Sequence, residues 1–356
     1  MSVPVPMLEE TAELLKSLIR IPSLSGKESD AADLLQKKLQ DYFPQAVKRS
    51  GHNLVVEIKG TTAGPTLLLC SHFDTVSVAA GWTRDPFGAS VEGDRIYGLG
   101  ANDAGASVVS MIAAARLLDR NFAGCLLLCL AAEEEAGNQG FVKVEPELPR
   151  YDAAIFGEPT NMGVAPAMRG SMRAKMRSHG KSCHASRPWE GKNAVDQFVQ
   201  DMQKLRAIDL KDSSPWKQAT VEPTVIRGGE STNQIPDLIE ATLDIRTTPE
   251  KDNDWIIAAL NKAGLDTEII VNRRRPMLND INSPIMKAVR KVQPPLADYT
   301  FNGSCDMAFA AAPSIVMGPG QSNRSHVADE FIALPELQQA IGIYGAVLKA
   351  FYTASS

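Results

Sequence analysis

The sequence predicts an α/β protein in two parts: a discontinuous domain with a largely parallel central sheet flanked by helices, and an inserted ferredoxin-like α+β domain. Three observations predict it. The chain has 356 residues, more than one hydrophobic core usually supports. Helix and strand patterns alternate at its start and again towards its end, as they do where helices join the strands of a parallel sheet. Between these stretches the order becomes strand, helix, strand, strand, helix, strand, that of a ferredoxin-like sandwich. The first domain is expected over residues 1–169 and 276–356, the second over residues 170–275.

Each element follows from its pattern. Residues 9–18 and 28–42 carry apolar positions at helical spacing. Residues 53–59 and 66–70 read as strands, the second almost wholly apolar and therefore central. Residues 103–118 are small and apolar with helical spacing and open on Asp103, a residue suited to an N-cap. Residues 125–131 and 153–156 are further apolar strands. In the middle, 171–178, 219–227, 238–246 and 268–271 read as strands, while 193–205 and 254–263 read as helices. The chain then returns with a helix at 285–292, a short buried strand at 314–317 and a helix at 335–351.

Composition narrows the function classes. With 44% hydrophobic and 22% charged residues the chain is ordinary for a globular protein. A formal charge of −5 without clustered Lys and Arg excludes a nucleic-acid footprint. The run Arg273-Arg274-Arg275 reads as a solvated strand end or loop. No stretch of 18 apolar residues occurs, and the first ten residues lack a basic segment followed by an apolar one, so neither a membrane span nor a signal peptide is expected. Five cysteines without paired spacing, three of them (Cys70, Cys125, Cys129) inside apolar runs, favour a reducing, cytoplasmic compartment.

The informative feature is where polar residues fall. Strand 66–70 runs into His72-Phe73-Asp74, strand 125–131 into Glu133-Glu134-Glu135, strand 153–156 into Glu158, and strand 314–317 into a Gly/Pro/Ser loop ending at His326. Ligands of open α/β sheets bind beyond the carboxyl ends of the strands, so a parallel arrangement puts these groups on one rim, joined by Asp103. Singly they are weak: three consecutive Glu are ordinarily a solvated turn, and an Asp opening a helix is ordinarily a cap. Together, two His and at least three carboxylates form a donor set for zinc, or for cobalt or manganese. So much buried negative charge also calls for a cation to offset it.

On these residues the chain resembles the dinuclear zinc aminoacylase and carboxypeptidase family, which includes acetylornithine deacetylase and succinyl-diaminopimelate desuccinylase. The matching segments are Ser71-His72-Phe73-Asp74-Thr75-Val76, Gly98-Leu99-Gly100 through Asp103, Ala132 to Glu135, Gly157-Glu158-Pro159-Thr160, and Gly318-Pro319-Gly320 through His326. The resemblance implies two divalent metal ions. His72 and Glu158 would bind one, Glu135 and His326 the other, and Asp103 would bridge them. Asp74 would hydrogen-bond the far nitrogen of His72. Glu134 would be the general base, with Glu133 in the place where the family usually has Asp. Ala104 stands where many members carry a larger residue, and Gly105 keeps the close packing there.

The resemblance also implies roles within the insertion. His184 would be an oxyanion donor reaching a neighbouring subunit's site in a homodimer formed through the inserted domain. Arg169, Asn233, Arg246 and Ser304 would contact substrate, a bidentate Arg suiting the free α-carboxylate of an amino acid. The stretches "LIRIPSLSGKES" at 18–29, "MRGSM" at 168–172 and "GPGQSNRSHVADEF" at 318–331 look closest to acyl-ornithine deacylases. The expected activity is hydrolysis of N-acetyl- or N-succinyl-ornithine, or of the citrulline analogue, in arginine biosynthesis. The alternatives are succinyl-diaminopimelate desuccinylase, a metallo-dipeptidase or carboxypeptidase, and a noncatalytic metal-binding relative. Retention of Glu134 beside every proposed metal ligand argues against the last of these.

Overall fold

The protein is seen in a computed structural model that describes residues 3–44, 46–292 and 300–353. The chain forms two compact units. The first comprises Met1–Ala167, Asn279–Phe301 and Cys305–Ser356; the second comprises Met168–Leu278 and Asn302–Ser304. Residues 302–304 thus join the second unit, where Arg274 Nη1 donates to the Ser304 carbonyl at 3.0 Å.

The first unit is built on a six-stranded sheet. In spatial order its strands are Val47–Ser50, Asn53–Lys59, Ala123–Ala131, Thr62–His72, Ala153–Phe156 and Ser314–Val316. The last four run parallel, and the two edge strands form an antiparallel hairpin against them. The parallel strands are continuously apolar because both sheet faces are covered. Leu67, Leu68 and Leu69 and their neighbours Leu126, Leu127 and Leu128 have no solvent exposure. Each such leucine contributes roughly 1.5–3 kcal/mol by burial. Helices Val5–Ile19, Ala106–Leu117 and Leu334–Thr353 contribute to the same core, the first through Leu14, Leu15, Leu18 and Ile19.

Three local features depart from the sequence reading. The first helix begins at Val5 rather than residue 9, because a proline is tolerated in a first turn, where the amide has no partner to lose. The hairpin strand Val47–Ser50 and the short helix Gln139–Val144 carry no clear periodicity. Asp103 is not an N-cap: the helix starts at Ala106, Asp103 has φ −122° and ψ 98°, and its peptide with Ala104 is cis. The carboxylate serves the rim instead. Two glycines make this possible. Gly100 has φ +78°, a region open to Gly without steric cost. A Cβ on Gly105 would lie 2.6 Å from the Gly100 carbonyl.

The second unit has an antiparallel sheet in the order Thr220–Gly228, Leu238–Thr247, Gly170–His179, Asp266–Arg274. Its helices Ala194–Arg206 and Asn253–Lys262 are capped by Asn193 and Asp252, whose side chains accept from the amides of Val195 and Trp255. Met172, Ala174 and Met176 alternate inward with Ala241, Leu243 and Ile245 to make a separate core. Of the arginine run, Arg274 ends its strand and Arg275 pairs with Asp254 on the surface. Among the described residues no helix is long and apolar enough to cross a membrane.

Candidate metal centre

The parallel strands bring the polar clusters to one edge. His72 lies opposite Ala131, Cys70 opposite Phe156, and Phe156 opposite Val316. The segments that follow these strand ends therefore leave the sheet at the same level.

His72 is the last residue of its strand and is buried. Its Nδ1 donates to the Asp74 carbonyl oxygen at 3.1 Å, with the Asp74 carboxylate at 3.5 Å. The backbone carbonyl is thus the nearer partner, where the resemblance implied the carboxylate. Donation from Nδ1 leaves Nε2 of the neutral ring with its lone pair facing the rim. That Nε2 is 3.3 Å from Asp103 Oδ1 and 3.8 Å from Glu158 Oε1. Across the rim, His326 Nε2 lies 2.8 Å from Glu135 Oε1 and 3.4 Å from Asp103 Oδ2. Asp103 turns one oxygen to each imidazole. Two groups that could hold a metal ion result, His72 with Asp103 and Glu158, and Asp103 with Glu135 and His326. His72, Glu134 and Glu135 form a third, overlapping group.

A pair of divalent cations fits these residues. Asp103 Oδ1 is buried and, among the described residues, accepts no hydrogen bond. The nearby His72 Nε2 lies within ion-pair distance but outside hydrogen-bond geometry, so both atoms aim at a shared point, as two ligands of one ion do. An orphaned buried carboxylate oxygen is costly, and a cation removes that cost. Nitrogen and oxygen donors in this mixture suit zinc, cobalt or manganese.

The charges respond to one another strongly. Burial opposes the charge on His72, but Asp103, Asp74 and Glu158 outweigh it and hold the imidazole pKa well above its ordinary value. Asp103 and Glu135 push His326 up to about 10 against its partial burial. Burial works against ionisation of Asp103, yet the two histidines hold its carboxyl well below the usual range. Glu158 is pushed far up, first by burial, with His72 opposing and Asp103, Glu134 and Glu135 adding repulsion. Without cations the centre is a net of protonated imidazoles and carboxylates, and a metal must displace those protons.

The glutamate triplet is divided by its backbone. Glu133 has φ +53°, uncommon for a residue with a side chain, and its carboxylate turns away to Lys143 at 3.1 Å. Glu134 is buried, and its Oε1 accepts from Asn138 Nδ2 at 2.6 Å. Glu135 faces His326, itself at φ +62°.

The profile of Peptidase family M20/M25/M40 matches residues 68–350, which contain every residue of this centre. The chain belongs to this family. It is a metal-dependent hydrolase; a dinuclear metal-binding peptidase of Bacillus subtilis shares the fold with a TM-score of 0.69 at 16% identity. A Pyrobaculum aerophilum protein named for LysW-lysine/LysW-ornithine hydrolase activity is 29% identical over 340 residues, 93% of this chain and 94% of that one. Succinyl-diaminopimelate desuccinylase of Caulobacter vibrioides is 29% identical over 382 residues, 99% of this chain and 98% of that one. The M20 family metallo-carboxypeptidase from Sulfolobus solfataricus shares the fold with a TM-score of 0.77 at 21% identity, covering 98% of this chain and 99% of that one.

The remaining predicted residues of this M20 chain lie in the second unit. His184 is exposed in a short strand paired with Gln234–Ile235, its Nδ1 2.7 Å from Ser186 Oγ. Asn233 is beside it, its carbonyl accepting from the Ala185 amide. Arg246 sits opposite Ser171 on the sheet and pairs with Asp244 at 2.8 Å. Arg169 stacks over the Trp216 ring at 5.6 Å, and among the described residues its buried Nη1 has no hydrogen-bond partner, nor has Ser304 Oγ.

Sequence reasoning missed the residues behind the ligands. Asp74 Oδ1 and Oδ2 accept from the amides of Glu134 and Glu135, both at 3.0 Å, and Ser25 Oγ donates to Oδ2 at 2.6 Å. Buried Glu28 accepts from the amides of Gly26 and Glu133 and meets His52 Nδ1 at 3.0 Å. Buried Glu330 accepts from the amides of Asn102 and Asp103. Burial and the charge of Asp103 push Glu330 up to about 8, against the pull of those amides. Ser25, Glu28 and Glu330 all lie in the stretches noted above for their family likeness, which was the one available signal.

Proposed function

We propose that the chain hydrolyses the amide bond of an N-acylated amino acid, with N-acetyl- or N-succinyl-ornithine, or the citrulline analogue, as substrate. The observation that carries this reading is the paired ligand set sharing Asp103, with the buried carboxylate of Glu134 beside it. Two cations held by His72, Asp103, Glu158, Glu135 and His326 would polarise the scissile carbonyl and acidify water. Glu134 takes the proton from the attacking water and delivers it to the leaving amine, a role typically contributing about 10²–10⁴-fold in rate. Asp74 keeps Glu134 and Glu135 in place through their amides. Arg246 or Arg169 holds the α-carboxylate, a charged hydrogen bond contributing about 1.5–3 kcal/mol.

The substrate rests on likeness. The Pyrobaculum relative's name contains lysine and ornithine, and the Caulobacter relative's contains diaminopimelate. All three amino acids carry a second amine. Desuccinylation of succinyl-diaminopimelate is therefore the second reading, favoured by equal identity over nearly the whole chain. A homodimer through the second unit is supported by its edge strand Thr220–Gly228, whose outer side has no neighbouring strand among the described residues, and by exposed Val195, Val199, Val225 and Ile226. His184 then serves the partner's centre. The five free thiols support a reducing, cytoplasmic compartment.

A panel of N-acetyl and N-succinyl amino acids, each also as its amide, tests the substrate. Fastest turnover is expected for an acyl-ornithine with a free carboxylate. Preference for succinyl-diaminopimelate selects the second reading, and equal rates on amidated substrates refute the carboxylate contact.

A further inference from the structure

Asn138 is fully buried and lies at φ +63°, at the N-terminal boundary of helix Gln139–Val144. Its amide donates to the Glu134 carbonyl at 2.8 Å, closing a turn that folds it back over the triplet. Its side-chain nitrogen donates to two carboxylates, Glu134 Oε1 at 2.6 Å and Asp306 Oδ1 at 2.8 Å. Asp306 is itself buried. Both partners being acceptors, the side chain is oriented with nitrogen inward.

We propose that Asn138, tethered by Asp306, is a positioning residue that sets the plane of the Glu134 carboxylate. The inference rests on Glu134 being the general base. One donor shared between two carboxylates ties Glu134 to a second point of the fold. A base held at one rotation keeps its alignment with the reacting water between turnovers, and misalignment near 1 Å is enough to lower rates strongly. The side chain does two things at once, because Asn is also among the few residues that tolerate this backbone region.

The two roles separate by substitution. Asn138→Gly keeps the backbone conformation at no steric cost and removes the amide. Asn138→Asp keeps the shape and removes both donors. With the fastest substrate of the N-acyl amino acid panel, both variants are expected to lose about tenfold or more in kcat, with KM within about twofold and bound metal unchanged. In a Glu134→Gln background, Asn138→Gly is expected to change kcat no further, since the residue it positions is gone. Asp306→Asn, which can still accept from Asn138, is expected to fall between wild type and Asn138→Gly.

Wild-type kcat in Asn138→Gly, or a further loss in the Glu134→Gln background, overturns the inference. Loss of metal in proportion to loss of activity also overturns it, by making Asn138 a prop for the ligands. Substantial turnover in Glu134→Gln alone overturns the underlying assignment of the base instead. Should Asn138→Gly fail to fold, Asn138→Asp read in both backgrounds decides the same question.

Discussion

Asp74→Asn tests whether the backbone behind the ligands is as important as the ligands. Asp74 is buried and accepts three hydrogen bonds, from Ser25 Oγ and from the amides of Glu134 and Glu135. Burial opposes its charge, but His72, Ser25 and the Glu134 amide hold its carboxyl below the usual range. Asparagine has one acceptor oxygen. Its least costly placement keeps that oxygen on Ser25 and Glu135, and turns an NH₂ against the Glu134 amide. One charge-assisted bond is lost and two are weakened; at about 1.5–3 kcal/mol for a bond to a charged group, the loss is about 2–4 kcal/mol. At about 2–4 °C per kcal/mol for a unit of this size, Tm falls by about 5–15 °C. The Glu134–Glu135 segment shifts, so metal affinity or turnover falls by about 10–100-fold. Cobalt titration of metal-free protein, with kcat measured at saturation and Tm by calorimetry, reads all three. A variant with wild-type metal affinity, turnover and Tm refutes the reasoning. The depressed carboxyl also sets a sign: its stabilisation is present above the unfolded value near 3.9 and is lost as pH falls through the folded value.

Three further outcomes follow from the same geometry. Glu134→Gln leaves metal content intact and removes most turnover, whereas Glu135→Ala weakens metal binding; metal analysis showing the reverse shifts the triplet's register by one. In metal-free protein His72 and His326 are held protonated, His326 up to about 10, and Glu158 is pushed far up by burial, so metal binding at pH 7 releases about two to three protons per chain and affinity rises with pH; calorimetry in buffers of different ionisation enthalpy that shows no release contradicts the charge network. Glu134→Ala and His184→Ala, each nearly inactive, regain roughly a quarter of wild-type activity when mixed under subunit exchange, because half the protein pairs as heterodimers with half their sites intact; demonstrated exchange without recovery places His184 in its own chain's site or in none.

The sheet and the gathering of the polar residues on one rim were legible because each rests on a strong local signal. The strand ending at His72 is a run of leucines that only a sheet covered on both faces can bury, and polar residues immediately after such a run must lie at its end. The insertion was legible because its inward-facing residues, Met172 to Met176 and Ala241 to Ile245, alternate strictly. The helix was begun at Asp103 because a sequence shows that an Asp precedes a helix but not that Asp103 and Ala104 are non-helical and the helix starts at Ala106. The supporting residues were hidden for a different reason. Ser25, Glu28, Asn138 and Glu330 act through backbone amides or side chains brought from 2 to 228 positions away, and no periodicity encodes such pairings. Left-handed Glu133 was equally silent, since its conformation is imposed by these contacts rather than by its own preference.

The most direct test of the two-cation hydrolase is a metal titration followed by activity. Protein stripped by chelation is given zinc or cobalt in steps, and bound metal is counted as hydrolysis of the fastest N-acyl amino acid is measured. The account predicts no turnover in the stripped protein, full activity only as the second equivalent binds, and, in Asp103→Ala, failure to bind two ions together. Full turnover by the metal-free protein, or two ions bound as tightly without Asp103, contradicts it.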